Sequence, residues 1–397
     1  MLGLRLAEAW RRWRGRETNP PVIISDMHIG TTMWQTAILR SLGIGAQART
    51  LSAHAKYATS EAIGRDAFFM YIAEWPAERV REEFAWHPEL RGLRYALASF
   101  PPSRIEALAK LPTHVRLVLN VGHRIHIHVA PERLEEITAV IRAMASDSRY
   151  ILATMSEYDY HYTKYYAGVE LVRLPVVCAH LAPELLDGPY APANRTVLIG
   201  PSHNLDTIIG FDNDLAELNR QSAAYAARHG YEPYCFEFIK KVYPGNTASP
   251  ENLARHPAVL MNPYSAFSIS MVELYQMNLP FFVPSDELLV DRMGDVRLCP
   301  IYQKQEAVDE LDRRYPAGGT GYPFSPNDAS PEAQRAWQKY MYFNQVKNAQ
   351  RWSTPQELFD KLYRTDLAAL HGRMKVENRR LFAAQAEAWA RLLPVLA

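Results

Sequence analysis

From His256 to Ser285 the chain reads HPAVLMNPYSAFSISMVELYQMNLPFFVPS, and the residue types there suit the holding of a phosphate. A buried strand is expected to stop at Asn262-Pro263. A small-residue turn with Tyr264 and Ser265 follows, and a helix is expected to open near Ser268. The start of a helix carries free backbone N–H groups and a partial positive charge, so it attracts anions. Hydroxyls at Ser265, Ser268 and Ser270 can cap that turn or reach a diphosphate. Glu273 lies about one turn in, where a carboxylate can accept hydrogen bonds from both hydroxyls of a ribose. The next apolar run, Pro280 to Pro284, would close a βαβ unit whose carboxyl edge is where ligands of such sheets bind. A capped helix in any Rossmann-like unit would read the same way.

Other clusters carry chemistry at different points. Leu198-Ile-Gly-Pro-Ser-His-Asn204 runs a strand into a tight turn at Gly200, followed by Ser202 and His203. A plain strand-to-loop turn with Asn204 as a cap is the simpler reading of it. Lys240 and Lys241 can offset the charge of a departing diphosphate where no metal does so, or can simply face solvent. Asp26-Met-His-Ile-Gly30 ends the first strand, and Gly30 permits a tight turn with close approach of a ligand. Group transfer onto a hydroxyl needs a base, and His28 titrates near neutrality without help. Asp26 could hold the His28 tautomer or be the base itself; alternatively Asp26 caps a helix and His28 is structural.

Asn120-Val-Gly-His-Arg-Ile-His-Ile-His128 packs three histidines and an arginine behind a strand. His126 and His128 alternate, but no carboxylate of matching spacing lies near, so no metal is expected. His123 and Arg124, just after Gly122, suit contact with an acceptor or a phosphate. The run from Tyr158 to Tyr166 offers stacking rings and the carboxylate of Asp159, although core packing accounts for many such rings.

These residues need α/β units to position them. Strand signals at 21–25, 67–73, 115–121, 150–154 and 169–177 alternate with helical patterns at 31–42 and 131–145. A stretch at 181–194 with Pro183, Gly188, Pro189 and Pro192 reads as a linker. A second series follows: strands at 196–200, 258–261 and 280–283, and helices at 215–228 and 268–277. Residues 315–331, rich in Gly and Pro, read as a surface loop, and everything beyond reads as helical. The organisation expected is a basic amphipathic helix at 1–18, a first Rossmann-like domain at 19–185, a second at 186–350, and C-terminal helices at 351–397 packing back across both.

Composition agrees with folded domains: 397 residues, 48% hydrophobic and 22% charged, with a net charge of +1 that gives no global reason to expect nucleic acid. Cys178, Cys235 and Cys299 are widely spaced and form neither a zinc motif nor a disulfide framework, and a cytoplasmic location fits them. In residues 1–17, Leu2, Leu6, Trp10 and Trp13 recur at helical spacing among five arginines. That suits a helix lying on an anionic membrane surface, or one docked on its own domain or on a partner.

The 256–285 segment resembles the donor-binding region of GT-B glycosyltransferases, where a Pro/Ser-rich turn, a helix carrying a Glu and a Pro-bounded strand recur. The likeness is close over about 30 residues and extends to the order of elements along the chain. It implies a GT-B-like α/β fold, with two Rossmann-like domains facing across a cleft. It further implies a nucleotide-diphosphate sugar as co-substrate, no cofactor, and a saccharide or lipid-linked glycan as acceptor. Gly200, Ser202 and His203 would touch the sugar diphosphate, and Asp26 and His28 would stand where many inverting members keep their base. Many retaining members have a second Glu seven residues before the first. Here that position is Ala266, which favours inversion. Rival readings are a non-hydrolysing nucleotide-sugar epimerase of the same fold, a polysaccharide pyruvyl transferase, and a non-catalytic carbohydrate-binding protein. No GxSxG, HExxH, P-loop or GxGxxG occurs.

Overall fold

The computed structural model describes residues 22–26, 29–44, 46–50, 76–86, 92–178, 187–200, 214–244, 249–261, 263, 265–292 and 305–393. Two wholly parallel sheets organise them. The first has strands β1 (Val22–Asp26), β2 (Ala46–Thr50), β3 (Tyr95–Ala98), β4 (Arg116–Val121), β5 (Tyr150–Thr154) and β6 (Val172–Arg173), in the order β2-β1-β3-β4-β5-β6. The second has β7 (Thr196–Gly200), β8 (Cys235–Phe238), β9 (Val259–Met261), β10 (Phe281–Pro284) and β11 (Gln350–Trp352), in the order β11-β10-β9-β7-β8. The longer helices beside the first sheet are α1 (Ile29–Ser41), α2 (Ala77–Trp86), α3 (Leu134–Ala145) and α4 (Glu157–Ala167). After them come α5 (Leu215–His229), α6 (Ile269–Gln276), α7 (Asp286–Arg292), α8 (Gln305–Arg314), α9 (Pro331–Gln338), α10 (Pro355–Arg364) and α11 (Leu367–Leu392).

The same winding occurs twice. In each sheet the second strand lies to one side of the first and the third strand crosses to the other side. Each sheet therefore has a point where the strand order reverses, between β1 and β3 and between β7 and β9. Parallel strands covered on both faces are continuously apolar, and β1, β3, β9 and β10 are buried at every residue.

Local chemistry sets the helix ends. The Ser156 hydroxyl caps α4 by accepting from the Asp159 N–H, and Gly168 closes that helix at φ 67°. Asp214 and Gly230, at φ 71°, do the same for α5. The helices expected at 31–42, 131–145, 215–228 and 268–277 match α1, a 3-10 turn at Pro131–Arg133 leading into α3, α5 and α6. Two expectations need correction. Only Val172–Arg173 of the 169–177 run pairs as a strand, at the sheet edge and exposed. The region after residue 331 is not all helical, because Gln350–Trp352 adds β11 beside β10, with Trp352 buried. The strand expected at 67–73 and the helix at 1–18 lie outside the described residues.

The halves are tied at several places. Gln276 of α6 clamps the segment leaving the first sheet: its Oε1 accepts from the Cys178 N–H and its Nε2 donates to the Val176 carbonyl at 3.0 Å. The 315–331 stretch is irregular, as expected, yet it packs on α4. The hydroxyls of Tyr165 and Tyr158 donate to the carbonyls of Tyr315 and Pro326 at 2.7 and 3.2 Å, and that of Tyr166 to the Asp312 carboxylate at 3.0 Å. Helix α11, 26 residues long, touches both α6 and α1. Near its start the His371 ring bonds the carbonyls of Asn278 and Gly188, and further along Asn378 bonds the Tyr275 carbonyl. Near its end Trp389 meets Trp34 edge-on, with centroids 6.3 Å apart and both rings fully buried.

Candidate functional site

Because all strands of a sheet run the same way, their carboxyl ends collect on one edge. On the first sheet that edge gathers Asp26 at the end of β1, Ser99 and Phe100 after β3, Asn120 in β4, His123 and Arg124 after β4, and Asp159 after β5. Asp26 is fully buried. Its Oδ2 accepts from the Ser99 hydroxyl and, at 3.3 Å, from the Phe100 N–H, so it joins the ends of β1 and β3 across the order reversal. The Arg104 guanidinium stands behind it, donating through Nε to the Ser25 hydroxyl at 3.1 Å. Burial lowers the Arg104 pKa, and the charge of Asp26 opposes that shift. The Phe100 ring meets His123 at 5.0 Å and His128 at 5.5 Å, both edge-on. Gly30 lies half-buried in the first turn of α1, and His28 lies outside the described residues.

Asp159 and Arg124 form the second part of this edge. Both are under 5% exposed. Burial pushes the Asp159 carboxyl up to about 6, against the lowering effects of its bond to Ser156 and of the nearby Arg124 charge. Among the described residues, the Asn120 side chain, fully buried at the same edge, has no hydrogen-bond partner on either amide atom. A carboxyl pushed up to about 6 with a guanidinium charge nearby can accept a proton from a hydroxyl at neutral pH.

The Asp159 shift has a consequence for stability. The ordinary value is 3.8, so the folded chain holds this proton over a range where the unfolded chain has released it. That stabilisation is full below about pH 4 and is lost as pH rises through about 6. Asp159→Asn stays neutral throughout, so relative to wild type it should gain about 2 kcal/mol between pH 4 and pH 7 in urea unfolding. A pH-independent difference would show that Asp159 is ionised in the fold at every pH tested.

Other residues of the first half have packing roles. The Tyr158 ring is 1% exposed, stacked on Tyr162 and edge-on to Trp337, so its faces are closed to a ligand in this conformation. His126 lies fully buried between α3 and α4. Thr138 commits its hydroxyl proton to the Leu134 carbonyl at 2.8 Å, so it must accept from His126 Nε2 at 2.9 Å. Nδ1 is then left to accept from the Tyr162 hydroxyl at 3.2 Å. Both ring nitrogens are used, and burial lowers the His126 pKa to about 3. Among the described residues, no group of three His, Cys, Asp or Glu side chains comes together as a metal site.

On the second sheet, Gly200 and Met261 are paired in register at the carboxyl ends of β7 and β9, so the two segments singled out above lie side by side at the order reversal. Gly200 has φ 154°, a region open essentially to glycine alone. After β9 the Ser265 hydroxyl donates to the Phe267 carbonyl at 2.8 Å. Ser268 caps α6 by accepting from the Met271 N–H at 3.3 Å. Ser270 and Glu273 are half-buried on α6, and the charge of Glu273 helps raise the pKa of Cys178, itself dominated by burial. Glu273 therefore faces the segment that joins the sheets. Lys240 and Lys241 are exposed on the one-turn helix after β8, with Lys241 Nζ 5.2 Å from the Phe238 ring. They stand one strand away from β7, at the sheet edge. Ser202, His203 and Tyr264 lie outside the described residues.

Sequence reasoning missed Ser99, Arg104 and Asn120. The only signal for the first two was the Pro101-Pro102 pair between them, which marks the end of an element. Cys178 is buried and Cys235 exposed, and both are free thiols. Among the described residues no helix is long and apolar enough to cross a membrane. No protein-family model matches the chain, and no curated protein matches it.

Proposed function

We propose that the chain is a glycosyltransferase of the GT-B type, moving a sugar from a nucleotide-diphosphate sugar to a saccharide or lipid-linked acceptor, with inversion and without a metal. The observation that carries this reading is the strand order of the second sheet. Its reversal falls between β7 and β9, the strands that lead into Gly200 and into the Pro263–Ser268 turn. Crevices of this kind are where open parallel sheets take nucleotides. The diphosphate would lie against the first turn of α6, with Ser265 and Ser268 beside it, and Glu273 would hold the ribose. The acceptor would approach the edge of the first sheet, where one of His28 and Asp26 would take the hydroxyl proton and the other orient it, with Asp159, His123 and Arg124 along the same edge.

The test is a panel of nucleotide sugars incubated with and without saccharide acceptors, following free nucleotide. Acceptor-dependent release that persists in EDTA is expected. Sugar interconversion without release would instead make the chain an epimerase, and binding without turnover a carbohydrate-binding protein. Glu273→Ala should weaken nucleotide binding by about tenfold or more in calorimetry, since hydrogen bonds to a charged group contribute about 1.5–3 kcal/mol. Unchanged affinity in a folded variant removes Glu273 from the site.

A further inference from the structure

At the carboxyl edge of the first sheet a polar row crosses from β1 to β4. Ile24 pairs with Leu97, so two residues further on Asp26 stands level with Ser99, and the bond between their side chains puts both on one face. Ala98 pairs with Leu119, so Ser99 in turn stands level with Asn120. On its other side Asn120 pairs with Ala153. Side chains level with one another on neighbouring parallel strands share a face, so Asp26, Ser99 and Asn120 look the same way. Two residues earlier that face carries Ile24, Leu97 and Val118, all fully buried. Beneath the row the face is apolar, and it turns polar at the edge where the strand order reverses.

The members of the row are used differently. Asp26 and Ser99 bond each other. Asn120 is 0% exposed and, among the described residues, neither its Nδ2 nor its Oδ1 has a hydrogen-bond partner. A buried amide left that way costs stability that an apolar side chain of the same shape would restore. Ala153 beside it and the hydrocarbon side chains beneath it offer nothing polar. A buried water is the plain alternative, and it would make Asn120 part of the fold rather than of a site. An amide carries a donor and an acceptor together. An ionised phosphate or carboxylate offers acceptors only and leaves Oδ1 unmatched, and a lipid chain matches neither atom. Adjacent hydroxyls, or an acetamido group, match both. Asp26 and Asn120 are two strand spacings apart, about 10 Å between backbones, roughly the span of one sugar ring with a hydrogen bond at each end. The row is closed to solvent in this conformation, so a ligand reaches it when the edge opens, and its hydrogen bonds then form without competition from water.

We propose that Asn120 binds a neutral sugar through adjacent hydroxyls or an acetamido group, so that a sugar ring, rather than a lipid or a phosphate, is the part of the acceptor held beside Asp26. Its role toward an acceptor rests on the transferase reading, whereas the sugar site stands without it. The probes are the methyl glycosides of glucose, galactose, mannose and N-acetylglucosamine, titrated by calorimetry into the full chain and into Asn120→Leu, with urea unfolding of both proteins. At least one glycoside should bind wild type, and Asn120→Leu should bind it about tenfold or more weakly. Nucleotide-diphosphate affinity should be unchanged and the unfolding midpoint equal or higher, because leucine nearly keeps the shape and removes the unpaired amide. Preference for the N-acetylglucosamine glycoside assigns the contact to the acetamido group, and equal binding of the four assigns it to the hydroxyls. Equal glycoside affinity in the folded variant overturns the site, as does no binding by wild type. A lowered midpoint shows that the amide is bonded within the fold and overturns it as well. Asn120→Ser carries the same comparison if the leucine variant does not fold, and failure of both to fold also overturns the proposal. Glycoside binding that depends on Asn120, in a chain that never releases nucleotide, keeps the sugar site and loses the transferase reading. Acceptor-dependent release that is indifferent to Asn120→Leu keeps the transferase and loses the sugar site.

Discussion

Asp26→Asn is expected to lower sugar transfer by a hundredfold or more, with nucleotide affinity within a few-fold of wild type. Asp26 accepts from Ser99 and from the Phe100 N–H while its charge faces Arg104. An asparagine keeps one acceptor oxygen but replaces the other with N–H₂ and removes the charge. If Asp26 is the base, the proton has nowhere to go; if it orients His28, the tautomer is lost. A positioned base contributes roughly 10²–10⁴-fold in rate, so either role predicts a loss of this size. Binding is spared because the nucleotide is assigned to the other sheet. His28→Ala should behave alike. Nucleotide-release rates and calorimetry on the two variants check this, and normal turnover by both moves the base to Asp159 or His123.

The second large effect is on acid stability. His126 in the fold keeps its neutral form down to about pH 3, while the unfolded chain takes up a proton near 6.5. A depressed folded pKa gives stability that is present above pH 6.5 and lost as pH falls toward 3. The loss attributable to this one ring approaches about 5 kcal/mol by pH 3, and about 3 kcal/mol by pH 4. His126→Gln removes the titration. Its urea-unfolding free energy should therefore fall less steeply between pH 7 and pH 4 than that of wild type. Parallel pH profiles would mean that the ring is charged in the native state. Asp159 works in the opposite direction over an overlapping range, so the two variants separate effects that partly cancel in wild type.

The sequence made the strongly patterned elements legible: Val22–Asp26 and Arg116–Val121 are apolar runs, and the helices with Ser or Asp caps announce their own starts. It could not announce β3. In Tyr95-Ala-Leu-Ala98 three of the four residues favour helix, and the segment becomes a strand because it sits between β1 and β4. Cys235–Phe238 and Gln350–Trp352 are edge strands too short for periodicity to declare them. The same limit applies at the site. Asp26, His123, Arg124 and Asp159 were visible as chemically capable residues. Their meeting on one edge, and the adjacency of Gly200 to the end of β9, depend on strand order, which no local pattern encodes. Tyr158 looked like a stacking platform because ring identity is visible in a sequence and ring burial is not.

The contact between Trp34 and Trp389 has a consequence for synthesis. All the strands of the first sheet are available once residue 173 has been made, and domains generally begin folding as they emerge. Helix α1, which follows the first strand, nevertheless has its Trp34 ring covered by a residue translated more than three hundred positions later. The indole N–H groups of both tryptophans and the amides of Gln35 and Gln385 lie buried in α1 and α11 without hydrogen-bond partners among the described residues. Each such group costs about 1–3 kcal/mol, so this seam closes on packing alone and offers the nascent chain little reward for early order. The amino-terminal half should therefore wait on the ribosome with an open apolar face, dependent on chaperones until α11 arrives, and a fragment ending near residue 194 should aggregate unless a peptide spanning 367–392 is supplied in trans.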